Sequence, residues 1–169
     1  MNKLITKPRF YALFAGLDAL IIDQVTKAYV LSSIETGDIK IAPFLNFVLV
    51  WNRGISFGVF NGSTPLPPPV FILISLAITA GFAVWLWRTH SRFLASGIGL
   101  VIGGALGNVI DRFRFGAVVD FLDFYIGGWH WPAFNVADSA VCIGIAIVLF
   151  DGLFWENRNK RSGHDEKHG

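Results

Sequence analysis

Four aspartates and two asparagines stand where apolar residues otherwise dominate: Asp23, Asn108, Asp111, Asp120, Asn135 and Asp138. Ionisable groups in a bilayer are costly, and those that occur usually serve function. Two carboxyls held close together cannot both ionise cheaply, because like charge and desolvation raise one pKa until the pair shares a proton. One carboxylate then activates water while the other protonates a carbonyl or a leaving amine. That is aspartic-protease chemistry, and it requires neither metal nor cofactor. Asp120 and Asp138 make the best pair: one lies on an apolar segment that reads as mobile, the other on a helix face with Asn135 three residues before it. Asp23 reads as structural, with Lys27 its i,i+4 partner, and Asp111–Arg112 as an ion pair holding a helix end. Spacing alone leaves two rival readings open. One is a polar network that only ties helices together; the other is an ion- or proton-conducting carboxylate relay, as in a small transporter or channel subunit.

A second chemistry competes. Gly54-Ile55-Ser56-Phe57-Gly58 fits the GxSxG nucleophile pattern, which needs a strand–turn–helix elbow with His and Asp partners. His130 is the one histidine on the same side of the expected membrane, in a tryptophan-rich stretch. His90 falls on the other side, and His164 and His168 are too isolated in the tail for a metal site.

These residues need elements to hold them, and the composition says what kind. Of 169 residues, 53% are hydrophobic and only 15% charged, against about a quarter charged in ordinary domains. Mean hydropathy is +0.54. A disordered chain is excluded, and so is a disulfide framework, since there is one Cys. A net charge of +2 offers no case for nucleic acid. A spanning helix needs about 20 mostly apolar residues, and four segments approach this: 10–30, 69–87, 93–110 and 133–154. The first carries Asp18, Asp23 and Lys27, yet its Leu, Ile, Phe and Val content offsets them. It is read as a retained helix, not a cleaved leader, because it is long and no small-x-small site follows. Asp18 lies about 140° around that helix from Asp23 and finds no evident partner.

With both termini inside, nine Lys and Arg residues (Lys3, Lys7, Arg9, Arg88, Arg92, Arg158, Lys160, Arg161, Lys167) face the cytoplasm. Five (Lys27, Lys40, Arg53, Arg112, Arg114) face outward. The imbalance fits the positive-inside rule, and the aspartates of interest then lie at a similar depth near the outer leaflet boundary. Residues 1–155 read as one membrane domain and 156–169 as a polar, solvated tail. Gly99, Gly103 and Gly107 give the third span a smooth groove for close helix contact. Cys142 is expected to be a small buried residue on the Asp138 stripe. Two segments remain outside. Residues 39–50 read as one or two short strands. Residues 118–131 are too apolar for a free loop, and should lie on the membrane surface or pack on the first segment.

Taken in order, Asp23-Gln24-Val25-Thr26-Lys27, Asn52-Arg53-Gly54-Ile55-Ser56-Phe57-Gly58, Gly103-Gly104-Ala105-Leu106-Gly107-Asn108 to Asp111-Arg112, Val118-Val119-Asp120-Phe121 and Phe134-Asn135-Val136-Ala137-Asp138-Ser139 resemble the successive signatures of the lipoprotein signal peptidases, the type II bacterial signal peptidases. The resemblance runs from about residue 17 to 150. It implies a four-helix inner-membrane aspartic protease with an outside β-cradle and a short outside helix. Its substrate would be a diacylglyceryl-modified prolipoprotein cut just before the lipidated Cys, with membrane lipids as its surroundings. By motif, Asp120 and Asp138 match the catalytic pair. Asn52, Asn108, Arg112 and Asn135 match supporting polar residues, Gly54 the outside-loop glycine, and Asp23 and Asp111 the structural acids. Ser56 then falls inside a signature with no call for a serine nucleophile.

Overall fold

The computed structural model describes residues 7–34, 38–54 and 67–165, with the backbone alone for Lys7 and 154–165. Four helices and one sheet follow in the order α1 (Lys7–Ser33), β1 (Ile39–Ala42), β2 (Leu45–Asn52), α2 (Pro68–Arg88), α3 (Arg92–Phe115), β3 (Val118–Ile126), β4 (Trp129–His130) and α4 (Val136–Asp165). Helices α2 and α3 and the Val136–Leu153 part of α4 are long and apolar enough to cross a membrane. Their outward faces carry large hydrophobic side chains such as Leu73, Val84, Ile143 and Leu149, as lipid-facing surfaces must. Helix α4 runs past the expected end of its span, as far as Asp165.

Helix α3 is the spine. Its glycines let α1 lie against it almost backbone to backbone: a Cβ on Gly99 would collide with the Ala12 carbonyl, and one on Gly103 with the Gly16 carbonyl. Such small-residue seams take the place of the hydrophobic drive that lipid removes. The opposite side of α3 uses the same device against α4, where a Cβ on Gly144 would stand 2.5 Å from the Gly97 carbonyl oxygen. Helix α2, opened by Pro68 and Pro69 at positions where a missing N–H costs nothing, packs mainly on α3.

The sheet is antiparallel with strands in the order β1-β2-β3-β4. Three local features aim it at the helices. Gly116, at φ 71, ends α3 in the left-handed region and its N–H closes on the Arg112 carbonyl at 3.0 Å, so β3 turns back beside the helix it has just left. A bulge in β2 between Phe47 and Val50 restores pairing as Val50↔Asp120 and Asn52↔Val118. Phe134 then pairs with β3: its carbonyl accepts from the Phe121 and Leu122 N–H groups, and its own N–H donates to Leu122. The chain entering α4 is thereby fixed against the strand that carries Asp120.

Two expectations change here and one is left open by the described residues. The segment 118–131 holds the strand β3 and the short β4, and Asp120, 1% exposed, sits on a fixed strand and not on a mobile segment. Val118 to Phe121 are buried on both faces of β3, and each face mixes one aspartate with apolar residues, so no alternation announced it. Cys142 shares the Asp138 stripe but is exposed on α4, because that stripe turns away from α3 below the site. The short outside helix is not found among the described residues.

Candidate active site

Asp120 and Asp138 come together from β3 and the first turn of α4. Both oxygens of Asp120 accept from amides: Oδ1 from Asn135 Nδ2 at 2.7 Å and Oδ2 from Asn52 Nδ2 at 2.9 Å. Asn52 is itself held, since its Oδ1 accepts the Gly54 N–H at 3.0 Å. Asp138 Oδ1 accepts from Asn108 Nδ2 at 2.9 Å. Asn135 touches both halves, because its Oδ1 also accepts the Asp138 backbone N–H at 2.9 Å.

That last bond corrects the placement of Asn135. It does not lie within the first turn of α4; it is the cap before it, satisfying the N–H of the third helical residue. The preceding N–H, of Ala137, donates to Asp23 Oδ1 at 2.9 Å. Two otherwise orphaned donors of the helix start are thus met by residues that also build the site.

Burial and the nearby Asp138 charge push the Asp120 carboxyl up to about 7, while the Asn52 and Asn135 hydrogen bonds and the Lys27 charge oppose the rise. Desolvation is the larger cause. A carboxyl that titrates near neutrality beside a second one is the arrangement that shared-proton chemistry requires.

Beside the pair, Arg112 donates from Nη2 to the Gly54 carbonyl at 3.0 Å and stands over the Phe71 ring at 5.3 Å, within electrostatic range of Asp138, Asp120 and Asp111. It ends an apolar cleft of about 480 Å³ lined by Pro68, Ile72, Leu73 and Leu76 of α2. The expected Asp111–Arg112 ion pair does not form. Adjacent helical residues point about 100° apart, and Asp111 turns instead to Lys27, Oδ2 to Nζ 2.7 Å, and to the Val119 N–H at 3.1 Å. Lys27 also pairs with Asp23 at 2.8 Å, as its spacing foretold. Asp23, Lys27 and Asp111 therefore form one buried cluster beneath the pair, 0%, 2% and 1% exposed. Gly107 makes room for it: a Cβ there would stand 2.6 Å from Asp23 Oδ2.

Gln24 was not singled out from the sequence, although its Nε2 donates to Asp23 and Asp111, each at 3.1 Å. Its residue type carries no signal, and only its place beside Asp23 could have marked it. Asp18 faces outward from α1. His130 pairs with Asp123 at 2.8 Å on the sheet, and Asn46 donates to the same carboxylate at 3.1 Å. Ser56 lies outside the described residues.

The model of the family described as Signal peptidase (SPase) II matches residues 17–154. A lipoprotein signal peptidase of Methylorubrum extorquens (strain PA1) is 42% identical over 144 residues, covering 83% of this chain and 84% of that protein. One from Burkholderia thailandensis is 39% identical over 159 residues, covering 90% and 96%. Two solved structures of a bacterial membrane enzyme, obtained by the in meso method, share the fold. The one at 2.3 Å resolution has a TM-score of 0.75 at 31% identity over 88% of this chain and 90% of that one. The other, at 1.9 Å, has 0.71 at 32% over 84% and 92%. With a family model matched over most of its length, relatives this similar end to end and the same fold, the chain belongs to the signal peptidase II family of proteases.

Proposed function

We propose that this protein is an intramembrane aspartic endopeptidase. It removes the signal peptide from diacylglyceryl-modified prolipoproteins by cutting just before the lipidated Cys, with Asp120 and Asp138 as the catalytic pair. The observation that carries the reading is that one amide, Asn135, donates to the Asp120 carboxylate and accepts the Asp138 backbone N–H, tying the β3 and α4 aspartates together, with the Asp120 carboxyl raised to about 7. In this mechanism the ionised member takes a proton from water as its oxygen attacks the scissile carbonyl, and the protonated member gives its proton to the carbonyl oxygen. Collapse of the tetrahedral intermediate breaks the C–N bond and passes a proton to the departing amine. Asn52, Asn108 and Asn135 hold the two carboxyls, while Gly54 and Arg112 stand where the peptide backbone would lie.

The reading places four spans in a bacterial inner membrane, with both termini cytoplasmic and the sheet at the outer surface. The Lys and Arg imbalance and the apolar outward faces of α2, α3 and α4 support it. For α1, the fourth span, support comes from the burial of Asp23 and Lys27 against α3, which removes the costliest charges from lipid. Acyl chains lying along α2 would contribute about 0.8 kcal/mol per buried CH₂, and would hold the scissile bond at the pair. Nothing observed favours a carboxylate-relay transporter.

The test is cleavage of a lipidated precursor by purified Asp120→Asn and Asp138→Asn variants, read by mass spectrometry. Loss of at least about a thousandfold is expected for each, and near-normal activity in either overturns the mechanism. Ser56→Ala should keep substantial activity; complete loss in a folded protein would restore the serine reading.

A further inference from the structure

We infer that Lys27 is a positioning residue for the catalytic pair: its ammonium fixes which way round the Asn108 amide stands, and so turns a donor toward Asp138. The inference rests on the reading of Asp120 and Asp138 as the dyad.

A lysine has three N–H donors and no acceptor. Lys27 uses all three, on Asp23 at 2.8 Å, on Asp111 at 2.7 Å and on Asn108 Oδ1 at 3.1 Å. An ion cluster that only held helices together would need the first two. The third donor goes to an uncharged side chain whose other end meets Asp138 at 2.9 Å.

The two ends of a carboxamide are nearly the same size, so shape does not choose its orientation; hydrogen bonding does. The Asn108 oxygen accepts from Lys27 and from Asn135 Nδ2 at 3.2 Å. Turned over, its NH₂ group would face the ammonium and the Asn135 NH₂, and its oxygen would face the Asp138 carboxylate. Both contacts repel. At the oxygen end the ammonium outweighs the Asn135 amide, because hydrogen bonds to charged groups are roughly twice as strong as neutral ones. Lys27 cannot drift from its post, since two buried carboxylates and the Gln24 amide that bridges them hold it. The charged groups around Asn108 are Asp23 and Lys27 from α1, Asp111 and Arg112 from α3, Asp120 from β3 and Asp138 from α4. Of the two cations, Arg112 reaches only the Asn108 backbone carbonyl, at 3.5 Å. Lys27 is the one of the two that reaches the side chain.

Without Lys27, a larger share of the amides turns over and places an oxygen lone pair against the Asp138 carboxylate, a contact that a proton between the two oxygens relieves. Lys27 is 2% exposed and does not line the cleft beside Arg112, so KM should not follow.

The test uses full-length enzyme carrying Lys27→Met together with Asp111→Asn, which removes one charge of each sign from the cluster. A second balanced variant combines Lys27→Met with Asp23→Asn. Folding is read by thermal unfolding in detergent, and kcat and KM are measured against pH on a lipidated precursor. The expected result is a folded enzyme with unchanged KM and an acidic limb of kcat moved up by about one pH unit, a further tenfold loss at low pH. A wild-type profile in either folded variant overturns the inference. Lys27→Arg, which keeps a cation and its donors, should retain the wild-type limb, and a shifted limb in that folded variant also overturns it. If the balanced variants do not fold, the Arg variant alone decides. Activity in Asp120→Asn or Asp138→Asn would instead defeat the underlying dyad.

Discussion

Two groups of buried carboxylates lie side by side in this protein, and they are treated in opposite ways. Asp23 and Asp111 share the ammonium of Lys27, and each oxygen atom of the pair accepts from Lys27, Gln24 or a backbone N–H. Asp120 and Asp138 receive uncharged amides from Asn52, Asn108 and Asn135, and lie within electrostatic range of each other and of Arg112. Amides orient a carboxylate without neutralising it, so the second pair keeps a repulsion that the first has lost. Where a charge is compensated it builds the fold; where it is merely aimed, it remains available for proton transfer.

Stripping the compensation should cost the most. Lys27→Met alone leaves two buried anions facing each other, and a loss of about 3–5 kcal/mol is expected, read as a large drop in thermal unfolding temperature and yield. Asp138→Asn should instead keep the fold while abolishing cleavage. If Lys27→Met proved as stable as wild type, the first group would not be the structural one.

The next effect concerns pH. The Asp120 carboxyl is raised from 3.8 to about 7, so between those values the folded state holds a proton that the unfolded state has released. Stability therefore falls as pH rises through this window, by up to about 1.4 kcal/mol per unit. From about pH 5 to 7 the wild type should lose roughly 2 kcal/mol through this group. Asp120→Asn should lack that loss, and parallel pH slopes for the two proteins would contradict the raised carboxyl. Cleavage should likewise decline above about pH 7, as the shared proton leaves the pair.

The smallest effects separate glycines that touch from glycines that do not. A Cβ on Gly81 of α2 meets nothing within 4 Å, so Gly81→Ala should stabilise by up to about 1 kcal/mol. Gly103→Ala drives a methyl into the α1 backbone and should cost about 1–3 kcal/mol. Equal unfolding temperatures for the two would remove the α1–α3 seam from the account.

Much of this was legible in the residues themselves. The spans, the Asp23–Lys27 pair and the glycine groove follow from hydropathy and helical spacing, which are local. Asp120 and Asp138 stood out because polar groups at that depth are rare. What could not be read is what depends on neighbours distant in sequence. Asp111 prefers a lysine 84 positions away over the arginine next to it. Asn135 acts as a cap because Phe134 is already fixed on β3. The β3 strand itself lacked an alternating pattern because its first four residues are buried on both faces, and Cys142, on the stripe it shares with Asp138, is exposed.

The double service of Asn135 bears on how the enzyme is made. Its side chain starts α4 and clamps Asp120 in the same set of bonds, and α4 follows the other described helices and the sheet in the chain. The three described helices before it and the sheet hold Asp120 with Asn52 alone, without Asn135 and without Asp138. In the proposed mechanism, the docking of α4 onto β3 is therefore the event that assembles the catalytic pair.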